Sequence, residues 1–130
     1  MSTLAVPAIV TLCTVALLFA CAAYVVWARA KYAVAAPATS GHPQFEVAYR
    51  IHMNTLENAV AFLPALWLCA LFLNPNWAGS VGTVWLGARV WYALAYARNP
   101  KGRSRGFTLS VVAAVALAVG GGVGVLRSAL

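Results

Sequence analysis

The chain has 130 residues, 63% of them apolar and only 8% charged, whereas soluble domains average about 25% charged and about 45–50% apolar. No water-soluble core of this size could bury so much apolar surface, so a soluble globular enzyme and a disordered chain are both excluded. Nine Lys and Arg against two Glu give a net charge of +7, a surplus suited to anionic headgroups or an anionic small molecule; no nucleic-acid partner is expected, because no basic face survives outside the apolar runs.

Leu4 to Ala28 is free of charge and exceeds the roughly 20 residues a helix needs to cross hydrocarbon. The run lacks a basic start and ends in Arg29 and Lys31, which argues against a cleaved signal peptide. A first helix is expected over residues 4–32. Pro37, Ser40, Gly41 and Pro43 then mark a loop. A second helix follows over residues 43–73, until Asn74-Pro75-Asn76 breaks it. The third is expected over residues 77–98 and ends at the basic loop Arg98–Arg105. The fourth covers residues 104–127, where Gly120 and Gly124 have the spacing of close helix packing. Cys13, Cys21 and Cys69 lie in apolar runs without metal or redox spacing and read as small core residues. The fold class is an all-α membrane protein, a four-transmembrane-helix bundle in one membrane domain. Basic residues flank the first and third connections, which places both in the cytoplasm, with Arg127 the one dissenting charge.

Polar residues recur at bilayer depth. Glu46, Arg50, Asn54 and Glu57 step by four, four and three along the second helix and share one face. Arg89, Tyr92 and Tyr96 share a face of the third, with Arg103 beyond its end. Counting about 1.5 Å per residue from the Asn74 turn sets Glu57 level with Tyr92, and Asn54 level with Tyr96. A charge at that depth costs at least about 2.5–3.5 kcal/mol, so it must face protein or water and find a partner. Two such seams imply a polar cavity open to the cytoplasm, with arginines suited to an anion.

Plainer readings exist for each group. Glu57 and Arg89 could form a structural ion pair between helices. Tyr92 and Tyr96, with Trp67, Trp85 and Trp91, could form an interfacial aromatic belt. Arg98, Lys101 and Arg105 read as topology signals, and His52 as a hydrogen-bonding neighbour rather than a catalyst. No metal is expected, because the two histidines and two glutamates lack ligand spacing.

The segment Phe45–Asn58, FEVAYRIHMNTLEN, resembles the signature of the MAPEG family, the membrane-associated proteins of eicosanoid and glutathione metabolism. Gly87–Gly106, GARVWYALAYARNPKGRSRG, is a second match, and its Asn99–Gly106 loop looks most like the third type of microsomal glutathione transferase. The resemblance implies a homotrimer that binds glutathione between subunits and acts as a glutathione transferase, with peroxidase activity as an addition. On the matching positions, Arg50, His52, Asn54, Glu57, Tyr92 and Tyr96 would hold glutathione, with Arg29 supplied by a neighbour. Arg103 falls on the arginine that stabilises the thiolate, and Arg89 on a family arginine whose role the resemblance does not define, a candidate for structural support of the site. Asn58 and Trp91 depart from the leukotriene-forming pattern, which leaves the second substrate undefined.

The residues fit that chemistry. Arginines complement the two glutathione carboxylates and Glu57 its ammonium. The apolar co-substrate, a lipophilic electrophile or lipid hydroperoxide, would arrive through the bilayer. Two other functions stay open: a small four-helix multidrug exporter, which would carry its membrane glutamate in a first helix that here has none, and a non-catalytic lipid-binding relative. The Ala- and Arg-rich composition points to a multi-pass protein of a bacterial inner membrane, its site facing the cytoplasm.

Overall fold

The computed structural model describes residues 3–130. Four helices follow in order: α1 (Ala5–Tyr32), α2 (Pro43–Phe72), α3 (Pro75–Arg98) and α4 (Ser104–Ala129), with a 3-10 turn over Pro100–Arg103 before the last. Among the described residues there is no strand.

Three junctions use one local device, a polar residue followed by proline. His42 Nδ1 accepts from the Gln44 N–H at 3.1 Å ahead of α2. Asn74 Oδ1 accepts from Asn76 and Trp77 at 2.9 and 3.0 Å ahead of α3. Asn99 Oδ1 accepts from Lys101 at 3.1 Å ahead of the 3-10 turn. The cap satisfies N–H groups that have no helical partner, and proline suits the first helical position, where an N–H would be orphaned. For this reason α3 begins at Pro75, two residues before the expected Trp77. Asn74 both starts α3 and closes α2, its own N–H donating to the Cys69 carbonyl at 3.0 Å. α1 ends differently: Ala33 takes the left-handed conformation at φ 54°, and Val34 N–H returns to the Arg29 carbonyl at 3.1 Å, a pattern that satisfies the last carbonyls of a helix.

α2 and α3 form the middle of the bundle; α1 and α4 each pack against both. Phe62 of α2 stacks on Trp85 of α3, ring centroids 3.7 Å apart, and both side chains are fully buried with Leu66 and Leu117. Trp85 is therefore a core residue and not part of an aromatic belt. Cys21 and Cys69 are buried, but Cys13 lies exposed on the outer face of α1 beside Leu12, which corrects its expected place in the core.

Two glycines set how closely α4 approaches. A Cβ on Gly124 would come within 2.6 Å of the Phe72 carbonyl on α2, and one on Gly106 within 2.7 Å of the Tyr92 nitrogen on α3. The first places the Gly120/Gly124 pair against α2 of the same chain; the second brings the start of α4 onto the site-bearing turn of α3.

Among the described residues, Ala5–Tyr32, Pro43–Phe72 and the Pro100–Ala129 stretch are long and apolar enough to cross a membrane. α3 is less apolar, yet its 24 residues reach about 36 Å and it packs against all three other helices.

Candidate anion-binding cleft

A cleft of roughly 430 Å³ opens between α2, the end of α3 and the start of α4, lined by Arg50, Asn54, Tyr92, Tyr96, Arg103, Ser104, Phe107 and Thr108. Five residues singled out from the sequence thus share one wall: Arg50 and Asn54 from α2, Tyr92 and Tyr96 from α3, and Arg103 from the turn after it. Tyr92 and Tyr96 are 2% and 7% exposed and meet edge to face, centroids 5.7 Å apart. Such burial removes the aromatic-belt reading for this pair, because belt residues face the lipid headgroups.

Hydrogen bonds orient the wall. Arg103 Nη1 donates to the Tyr96 hydroxyl at 2.9 Å, and its guanidinium lies 5.1 Å from the centre of the same ring. The hydroxyl oxygen is thereby used as an acceptor, which leaves its proton to be donated elsewhere. Asn54 Oδ1 accepts from Arg89 Nη2 at 2.9 Å, so its amide nitrogen is the group that remains for a ligand. Among the described residues, every polar side chain lining the cleft can donate a hydrogen bond, and none of them is a carboxylate.

Arg89 sits directly behind this wall. It is fully buried, with Nη2 also donating to Thr55 Oγ1 at 2.8 Å and Nη1 to Ser110 Oγ at 3.3 Å. Ser110 gives its own proton to the Phe107 carbonyl at 2.7 Å, so its oxygen is available to accept. The guanidinium also covers the Tyr92 ring at 4.1 Å.

Glu57 is not its partner. The ion pair between the two helices is replaced by one within α2, where Glu57 Oε1 lies 3.5 Å from Arg50 Nη1 and both side chains are about half exposed. Seven residues separate Arg50 and Glu57, two helical turns on one face, and that face turns outward at Glu57. Asn54 lines the cleft together with Tyr96, its expected level, and also meets the long Arg89 side chain, which reaches it from seven residues earlier on α3.

Arg29 and His52 do not line the cleft of their own chain. Arg29 Nη1 donates to the Ala38 and Val34 carbonyls at 2.7 and 3.4 Å, and its guanidinium covers Phe45 at 4.7 Å. It clasps the loop after α1. His52 is half-buried on α2. Ser104, Phe107 and Thr108 were missed, although their spacing of three and one puts them on one face of a helix beginning at Ser104. Thr55 and Ser110 carried no signal, since a lone hydroxyl in an apolar run reads as neutral. Among the described residues no group of three or more His, Cys, Asp and Glu comes together to hold a metal.

Residues 7–123 match the pattern described as MAPEG family. The chain belongs to that family. With three segments able to cross a bilayer, this MAPEG chain is an integral membrane protein. It is similar to an uncharacterized protein of Synechocystis sp., 39% identical over 88% of this chain and 83% of that one. It is similar also to microsomal glutathione S-transferase 2 of Bos taurus, 36% identical over 75% of this chain and 66% of the relative. Leukotriene C4 synthase of Bos taurus is 39% identical over 54% of this MAPEG chain and 47% of its own length. The two named enzymes are thus matched over two thirds of their length or less.

Proposed function

We propose that this MAPEG protein is a membrane-bound glutathione transferase, which holds glutathione in the cleft, stabilises it as the thiolate and transfers it to lipophilic electrophiles from the bilayer. The observation that carries this reading is the make-up of the wall: two arginines, two tyrosines, an asparagine amide and two hydroxyls around one cleft, each able to donate a hydrogen bond, with no acid among them. Glutathione presents two carboxylates to such a wall and one ammonium, for which Glu57, beside Arg50 at the rim, supplies the anion. Similarity to a microsomal glutathione S-transferase over most of this chain supports the same reading.

A free thiol has a pKa near about 8.5, and a guanidinium at the sulfur favours the thiolate, which is the nucleophile. On this reading Arg103, which lines the cleft, supplies that charge. The thiol proton leaves to water, the sulfur forms a bond to the electrophilic carbon, and the leaving group departs with its electron pair. The added peroxidase activity would be attack of the same thiolate on the terminal oxygen of a lipid hydroperoxide: the O–O bond breaks, the lipid alcohol leaves after taking a proton, and the sulfenic acid formed condenses with a second glutathione to give the disulfide and water. Arg29 and His52 serve a neighbouring copy's cleft in a homotrimer. Arg98 at the end of α3, with Lys101 and Arg105 around the turn that carries Arg103, favours a cytoplasmic mouth, in a bacterial inner membrane.

Purified protein in mild detergent should bind glutathione in a calorimetric titration and release chloride from chlorodinitrobenzene in its presence. Binding without turnover would make it a non-catalytic relative. Absence of both would overturn the proposal.

A further inference from the structure

Arg89 is buried in an arrangement that stability alone does not account for. Its charge faces neutral groups, hydrogen-bonding to oxygens on Asn54, Thr55 and Ser110 with the Tyr92 and Cys21 side chains also close by, and the one ion pair among the described residues joins Arg50 and Glu57 instead. Its Nε is buried without a hydrogen-bond partner. A buried charge without a counter-ion is costly, and an acid in place of any of the three oxygens would relieve that cost. Asn54 stands where such an acid would fit, and Asn54 lines the cleft.

We infer that Arg89 is a positioning residue for the anion cleft: it turns the Asn54 oxygen inward so that the Asn54 amide N–H groups face the ligand, and it leaves its positive charge to be balanced by the anion that enters. A guanidinium has no acceptor, so only the oxygen of the amide can face it. The nitrogen is then directed by exclusion. The Tyr92 ring, between Arg89 and the cleft, is held by the same guanidinium at 4.1 Å, so one residue fixes two parts of the wall without touching the ligand. The charge acts through a water-poor interior, where electrostatic attraction is stronger than in bulk water. This role rests on the glutathione reading above.

Asn54→Asp tests it, since the substitution keeps the size and reverses both effects. It pairs Arg89 with a carboxylate and replaces the cleft-facing N–H groups with an oxygen. Relative to wild type, the variant should melt several degrees higher in detergent and bind glutathione at least about tenfold more weakly by calorimetry. A purely structural Arg89 would give the higher melting temperature with unchanged affinity. A second arm uses Arg89→Lys, which keeps the charge but not the fork. It should weaken glutathione binding, and adding it to Asn54→Ala should cost clearly less than the product of the two single losses, because Arg89 acts in part through Asn54. Unchanged affinity in Asn54→Asp, a lower melting temperature for it, or multiplicative losses in the second arm would each overturn the assignment while leaving glutathione binding intact. Failure of the wild type to bind glutathione would instead remove the functional reading, and this role with it.

Discussion

Arg103 joins the turn after α3 to the cleft by two contacts on one side chain, a hydrogen bond to the Tyr96 hydroxyl at 2.9 Å and a stacked position over its ring. Arg105, two residues on, lies exposed outside the Arg103 side of the wall. Arg103→Leu should therefore raise the apparent pKa of bound glutathione and slow conjugation by ten- to a hundredfold, about 1.4–2.8 kcal/mol of transition-state stabilisation. Arg105→Leu removes the same charge from the same loop and should change neither. Thiolate absorbance followed against pH in the two variants separates a specific contact from a general field; matching curves would assign the chemistry elsewhere. Glu57 gives a second residue-scale test. Its pair with Arg50 is half exposed, and exposed pairs add about 0–1 kcal/mol to stability, so Glu57→Gln should leave the melting curve in place. Glutathione binding should weaken, because the ammonium loses its one nearby acid. A lower melting temperature with normal binding would make the pair structural.

At the level of elements, the cleft depends on how near α4 comes to α3. The start of α4 carries Ser104, Phe107 and Thr108 into the wall, and Gly106 between them lets the helix rest on the backbone of Ala88 and Tyr92. Backbone atoms cannot swing aside as a flexible side chain can. Gly106→Ala should therefore lift the first turn of α4, at a typical overpacking cost of about 1–3 kcal/mol, and weaken glutathione binding beyond what the stability loss explains. Gly124→Ala, at the far end of α4, makes an equally close contact with the Phe72 backbone on α2, and should lower the melting temperature by a similar amount with the cleft unaffected. Melting and titration of the two variants side by side read the difference. Equal effects on binding would show that the cleft tolerates a shift of α4.

For the whole molecule, the single chain leaves surfaces that call for cover. Ile9, Leu12, Phe19 and Val26 run along one side of α1 at 53%, 69%, 73% and 68% exposure, a face equally suited to lipid or to a second copy. The half-exposed Arg50 and Glu57 pair is different, since ionised side chains at membrane depth need protein or water around them. A neighbouring subunit would keep lipid away from the pair while the cleft between them stays open to water, and would supply Arg29. Native mass spectrometry in a mild detergent that preserves activity should give the mass of three chains; a monomer under those conditions would contradict the homotrimer.

Much of this protein is legible in its sequence because the relevant physics is local. Charge-free runs longer than the bilayer is thick require helices in lipid, and the polar-proline pairs at His42, Asn74 and Asn99 set where helices begin. Spacings of three and four put Arg50 with Asn54, and Tyr92 with Tyr96, on common faces, and those faces do meet. The partners across the bundle were not legible. Spacing along one helix sets the direction in which each side chain leaves its axis, but it says nothing of how far one helix slides past the next. That axial register decided that Arg89 meets Asn54, Thr55 and Ser110 and not Glu57, and that Glu57 turns outward to Arg50. It also brought Ser104, Phe107 and Thr108 into the wall, through a close approach that the absence of a Cβ at Gly106 permits. The types of residue around the cleft are thus a property of the sequence, while the pairing that leaves a buried arginine without an acid is a property of the packed bundle alone.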